Sequence, residues 1–116
     1  MRTARMVLAV LAAASFPVLA QAPVPSPQRG EMFFKSTHGN DWSCASCHTR
    51  DPRASGRHAT TGKSIAPLAP VANAERFTRV DRAEKWFRRN CSDVLGRACT
   101  AQEKGDVLAY LLSLKP

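Results

Sequence analysis

Apolar residues concentrate in four stretches of the chain. A run from Met6 to Ala20 follows Arg2 and Arg5; Met32, Phe33 and Phe34 form a short cluster; Trp86, Phe87, Val94 and Leu95 form a third; Val107, Leu108, Leu111, Leu112 and Leu114 form the last. The last two groups recur at helical spacing, each forming one apolar side of a helix. Their boundary residues agree. Asp81 with Glu84 three residues later reads as a capping box, Gly96 as a helix stop, and Thr100 with Glu103 as a second capping box. Ser26 followed by Pro27 reads as an N-cap with proline at the first helical position, so a first helix starts there, carries Met32 to Phe34 and stops before His38-Gly39. Between Gly39 and roughly Asn73 the chain is rich in Gly, Pro, Ser, Thr and Arg with little periodicity, and most of it reads as loop. A loop that long in so small a chain points to function. There is no internal repeat, and no strand-like alternation longer than a few residues. The expected fold class is all-α.

The first apolar run differs in kind from the other three. It is short for a membrane span, rich in small residues and preceded by two arginines, which is the make-up of a secretory signal peptide. Cleavage is expected after Ala20, since the alternative A-x-A site at Ala20-Gln21-Ala22 would place Pro23 first. The expected layout is a signal peptide at 1–20, a flexible proline-punctuated leader at 21–26 and one domain at 27–116. No membrane span remains after cleavage. Removing Arg2 and Arg5 from the 17 basic residues lowers the net charge from +8 to +6, against 9 acidic residues. A basic chain could bind nucleic acid, but export and the lack of a basic run interleaved with aromatics argue against it. About ninety-six residues make a marginal hydrophobic core, and a covalent cofactor or a disulfide is expected to supplement it.

Export also governs the four cysteines, because thiols in an oxidising compartment form disulfides or are consumed by a cofactor. Cys44-Ala45-Ser46-Cys47-His48 places two thiols two residues apart with a histidine directly behind. Each thiol can take one haem vinyl group in a thioether bond, and the histidine then falls beneath the iron as proximal ligand. Zinc would want two close pairs of ligands, and a thioredoxin-like site would want a βαβ context; the sequence has neither. One covalent haem c is expected, held by Cys44, Cys47 and His48.

The sixth iron ligand is less obvious. The helix, motif, loop and helices order resembles class I cytochromes c, in which a methionine downstream of the motif completes the iron. No methionine follows Met32, which itself reads as a core contact. His38 and His58 are the histidine candidates. By the class I arrangement His58 would lie on the proximal face, where a backbone carbonyl is expected to accept the proximal ring N–H.

Four segments now carry a specific resemblance: CASCHTRDPRASGR from Cys44, IAPLAP at 65–70, ERF at 75–77 and EKWFRRNCSDVLGRACTAQEKGDVLAYLLS at 84–113. Together they resemble the SHP family of small oxygen-binding high-spin cytochromes c, over nearly the whole mature chain. The resemblance implies a class I cytochrome c-like fold of helices wrapped around one covalent haem. It also implies that Asn90, directly before Cys91, is the distal ligand of the oxidised iron. A hard, neutral amide oxygen suits ferric iron and holds the softer ferrous ion poorly, so reduction should free it and open a site for oxygen or nitric oxide. Reduction by a redox partner protein, often a dihaem cytochrome c, is implied as well.

Cys91 and Cys99 flank the turn between the last two helices, and a disulfide is their simplest fate in an oxidising compartment. Closing that loop is worth on the order of 2.6 kcal/mol in chain entropy. Trp86 and Phe87 lie four and three residues before Asn90 and read as core and haem-pocket packing, while Arg88 and Arg89 read as a solvated face suited to an acidic partner. The functional expectation is an exported, periplasmic cytochrome that accepts electrons and binds diatomic gases when reduced. The alternative is a plain periplasmic electron carrier with a histidine sixth ligand. An enzyme acting on oxygen or nitrogen oxides would need an acid–base group near the bound ligand, for which only Arg88, Arg89 and the freed Asn90 stand close in sequence.

Overall fold

A computed structural model describes residues 13–18 and 23–116. The signal segment at 1–20 and its cleavage point after Ala20 lie largely outside the described residues. The elements in chain order are α1 (Pro27–Lys35), α2 (Cys44–His48), β1 (Gly56–Arg57), β2 (Ser64–Ile65), α3 (Val80–Leu95) and α4 (Ala101–Ser113). Among the described residues no helix is long and apolar enough to cross a membrane.

The helix ends follow from local chemistry. Ser26 Oγ accepts the Arg29 N–H at 3.2 Å and opens α1 with Pro27 in its first turn. Thr100 and Glu103 complete a reciprocal capping box at the start of α4, and Gly96 closes α3 at φ +68°, where a side chain would be strained. The expected box at Asp81 does not form. α3 starts two residues earlier, with Arg79 in place of Asp81 at the N-cap, and has no side-chain cap; Arg79 instead binds the Asp81 carboxylate at 2.8 Å, and Glu84 accepts from Lys104 of α4 at 2.8 Å.

α1 and α4 cross at close quarters, and this contact organises the core. A Cβ on Gly30 would collide with the Asp106 carbonyl group of α4, so only glycine allows the two backbones this approach. Phe34, 1% exposed, meets the Tyr110 ring edge-on at 5.7 Å and packs with Val107, Leu111 and Ala45. Asp106 is 5% exposed yet satisfied: it accepts from Arg29 Nε and Nη2, both at 2.9 Å, and from the Ser26 N–H at 2.7 Å. The Arg29 hydrogen bond holds the Asp106 carboxyl below its ordinary range. Arg29 also donates to the Val24 carbonyl at 2.6 Å, so the described end of the leader is tied to α4 through this cluster.

Several side chains depart from their expected places. Met32 is 66% exposed and no core contact, Leu112 is exposed, and Trp86 is 45% exposed rather than packed inside. Tyr110 and Asp106, which the apolar pattern does not single out, are buried. The stretch from Gly39 to Asn73 is also not all loop, since it contains α2 and a two-stranded antiparallel ribbon pairing Gly56 with Ile65 and Arg57 with Ser64.

Candidate haem site

α2 has only five residues, too few to be stable alone, and its cap explains why it forms. Ser43 Oγ accepts the Ser46 N–H at 3.1 Å while Ser46 Oγ accepts the Ser43 N–H at 2.9 Å. The helix thereby presents Cys44, Cys47 and His48 with a fixed backbone. Thr49 ends it at φ +63°, ψ 164°, a conformation nearly reserved for glycine, and its hydroxyl donates to the Asp51 carbonyl at 2.5 Å. Such a conformation costs about 1–3 kcal/mol and concentrates at functional sites.

The ribbon clamps this helix from outside. A Cβ on Gly56 would strike the Cys47 carbonyl group, and the Ala59 N–H donates to Cys47 Sγ at 3.3 Å. The glycine in Ala54-Ser55-Gly56-Arg57 is thus a site determinant; its only sequence signal is a lone glycine in a polar loop.

Cys44 and Cys47 are both free, half-buried thiols. Burial pushes the Cys44 thiol up to about 11, so it stays protonated at neutral pH. That does not suit a redox nucleophile, which needs a depressed thiol pKa. Among the described residues no three His, Cys, Asp or Glu side chains gather as a metal cluster. His48 lies 6.4 Å from the Phe34 ring, centroid to centroid. Burial first, and the Arg76 charge second, push His48 down to about 4, leaving a neutral imidazole of the kind that ligates iron. Its Nδ1 is buried and has no hydrogen-bond partner among the described residues. The carbonyl expected to accept a proximal ring N–H is therefore not supplied. The proline carbonyls of this region are already engaged, Pro52 by the Leu68 and Ala69 N–H groups and Pro67 by Arg76 Nε at 2.9 Å.

Neither histidine candidate for the opposite position is free of local work. His38 Nε2 bonds the Phe33 carbonyl at 2.9 Å, with its ring 4.4 Å from that of Phe33. His58 sits at the turn of the ribbon, where Nδ1 accepts from the Thr60 and Thr61 N–H groups at 3.2 and 3.1 Å. Asn90 lies on α3 with Ala83, Phe87, Cys91 and Val94, the less exposed side of that helix. It is half-buried, and its amide makes no hydrogen bond among the described residues. The next residue, Cys91, is disulfide-bonded to Cys99.

Comparison with known proteins decides the family. Residues 20–111 match the model of a domain of unknown function, DUF1924. The chain is 45% identical over 102 residues to the cytochrome c-type protein SHP of Cereibacter sphaeroides, covering 84% of this chain and 78% of that protein. It belongs to the SHP family of cytochromes c. Cytochrome c'' of Methylophilus methylotrophus is 44% identical over 93 residues, 77% of this chain; the match spans 65% of the length of that relative. The structure of oxidised SHP, described as an oxygen-binding cytochrome c, superposes with a TM-score of 0.72 at 45% identity, over 78% of this chain and 83% of that one. Oxidised cytochrome c'' superposes with a TM-score of 0.70 at 42% identity, over 80% and 79%. The SHP-type fold is thus the class I cytochrome c-like one, and with it comes one covalently bound haem c and its iron. The residues present fit that group: two free thiols on one short helix, with a neutral, largely buried histidine directly behind the second.

Proposed function

We propose that this SHP-type chain is an exported, periplasmic monohaem cytochrome that accepts electrons from a redox partner protein, such as a dihaem cytochrome c, and binds oxygen or nitric oxide when reduced. Cys44 and Cys47 would hold the haem through thioether bonds and His48 would be the proximal ligand. A haem c so held supplies one-electron chemistry and a coordination position for a diatomic gas. The polypeptide fixes the attachment helix through Ser43, Ser46 and Gly56, keeps His48 neutral by burial, and excludes water with Phe34 and Phe87.

The observation that carries the reading is the contrast between Asn90 and the two histidines. His38 and His58 are bonded into their own loops, whereas the Asn90 amide has no hydrogen-bond partner among the described residues and stands on the sheltered side of α3. In this reading Asn90 would hold the oxidised iron through its hard amide oxygen, which the softer ferrous ion would hold poorly, and its NH2 group would then be available as a hydrogen-bond donor to the gas. SHP itself is described as oxygen-binding, and work on cytochrome c'' concerns haem-ligand detachment. The disulfide at Cys91 anchors the turn of α3 that carries Asn90.

The test is the ferric absorption spectrum of three variants. Asn90→Ala should admit water or small anions such as azide to the iron while leaving haem attachment intact, and His38→Ala and His58→Ala should leave the spectrum unchanged. A histidine variant that alone alters the ferric spectrum would establish the plain electron carrier instead.

A further inference from the structure

The outer side of α3 is unusual among the described surfaces. Arg79 is paired with Asp81 and Glu84 with Lys104, which leaves Arg82, Lys85, Arg88 and Arg89 with no carboxylate within ion-pair distance among the described residues. Elsewhere the charged side chains of α1 and α4 are largely paired, as in Arg29 with Asp106, Lys35 with Glu31 and Arg97 with Glu103. Four uncompensated cations within eight residues repel one another, a cost that a binding surface can recover on meeting opposite charge.

The patch is not simply basic. Arg82, Lys85, Trp86 and Arg89 recur at three- and four-residue spacings and so line one helix face. The Arg89 guanidinium stands 5.7 Å from the centre of the half-exposed Trp86 ring. Arg79, Asp81, Arg82, Lys85 and Trp86 border an open groove of about 440 Å³, and Val80 is exposed beside it. An indole among arginines matches the make-up of protein–protein interfaces. The carboxylates of Asp81, Glu84 and Asp93 interrupt the basic row, which disfavours a uniform polyanion such as nucleic acid. Trp86 also lies one helical turn before Asn90, so this face and the sheltered side share a flank of the same helix.

We propose that this face of α3 is the docking surface for an acidic redox protein. The inference rests on the reading above that the chain accepts electrons from a protein partner, and it locates where that partner binds.

The experiment maps binding of poly-L-glutamate to the full haem-loaded chain by NMR. Shifts should concentrate on the Trp86 indole N–H and on the amides of Arg82, Lys85 and Arg89, and should fade with added salt. The combined variant Arg82→Glu, Lys85→Glu, Arg89→Glu should weaken binding at least about tenfold, while Lys63→Glu with Lys115→Glu, at exposed positions elsewhere, should change it less than twofold. Shifts spread evenly over the surface, or equal losses in both variants, would overturn the proposal. Vesicles containing phosphatidylglycerol that shift the α3 amides where poly-L-glutamate does not would overturn it in favour of a lipid surface. Mixing the ferric chain with a reduced dihaem cytochrome c separates the two ideas: mapping to α3 in a chain whose haem that protein does not reduce would uphold the docking face and defeat the electron-accepting reading.

Discussion

The α1–α4 pair and the α3 helix show two ways of completing a core. α1 and α4 complete each other, with Gly30 allowing backbone approach, Phe34 and Leu111 sealed inside and Asp106 fully satisfied. α3 is the longest helix, yet it packs on no other helix to a comparable extent. Its ties are few: Phe87 packed against the core, the Cys91–Cys99 bridge, Asn40 Nδ2 donating to the Val94 carbonyl at 3.0 Å, and Lys104 with Glu84. Along its sheltered side stand Phe87 and the half-buried Asn90. α1 and α4 close on each other, whereas the sheltered side of α3 is the one that meets the haem in the function proposed above.

Removing the haem is the most severe way to break this contrast. In Cys44→Ser with Cys47→Ser we expect loss of covalent haem and of most tertiary structure, with hydrogen-exchange protection disappearing from α3 before α1 and α4. Equal loss in all three helices would deny that α3 depends on the haem more than the others do. Next in size, Phe34→Ala should destabilise the holoprotein by about 3–5 kcal/mol in denaturant unfolding. Trp86→Ala, at the half-exposed outer side of α3, should stay within about 0.5 kcal/mol.

The double variant Cys91→Ser, Cys99→Ser should cost on the order of 2.6 kcal/mol. Its protection losses should be confined to the end of α3 and the turn into α4, and equal losses in α1 would show that the bridge supports the whole core. A smaller effect than that of the bridge is expected at the start of α4. The Arg97 hydrogen bond chiefly, with further bonds at Thr100, holds Glu103 down to about 2 from an ordinary 4.5. Its ionised form therefore contributes stability that is complete above the ordinary value and lost as pH falls towards 2. Because the pair is exposed, the effect should stay below about 1 kcal/mol. Glu103→Gln should flatten the dependence of the unfolding midpoint between pH 5 and 2, and an unchanged slope would remove Glu103 from the account.

The features legible in the sequence were those set by local chemistry. Ser26-Pro27, Gly96 and the Thr100–Glu103 box mark helix ends through bonds spanning three or four residues, and the Cys44 to His48 spacing carries its own chemical meaning. What stayed hidden depends on distant partners. Asp106 is buried because Arg29 and Ser26 come from another helix start, and Glu84, the other half of the expected box, is taken by Lys104 of α4. α2 escaped notice because five residues have no periodicity and its box closes with serine rather than glutamate. Trp86 fits the apolar pattern of α3, but its ring faces Arg89 at the surface.

The central claim is that the sheltered side of α3 offers the iron a ligand it can lose. Its most direct test is the absorption spectrum of the dithionite-reduced holoprotein before and after addition of carbon monoxide. The account predicts a high-spin ferrous spectrum that converts fully to the carbon monoxide form within mixing time. A low-spin ferrous spectrum that carbon monoxide leaves unchanged would contradict it.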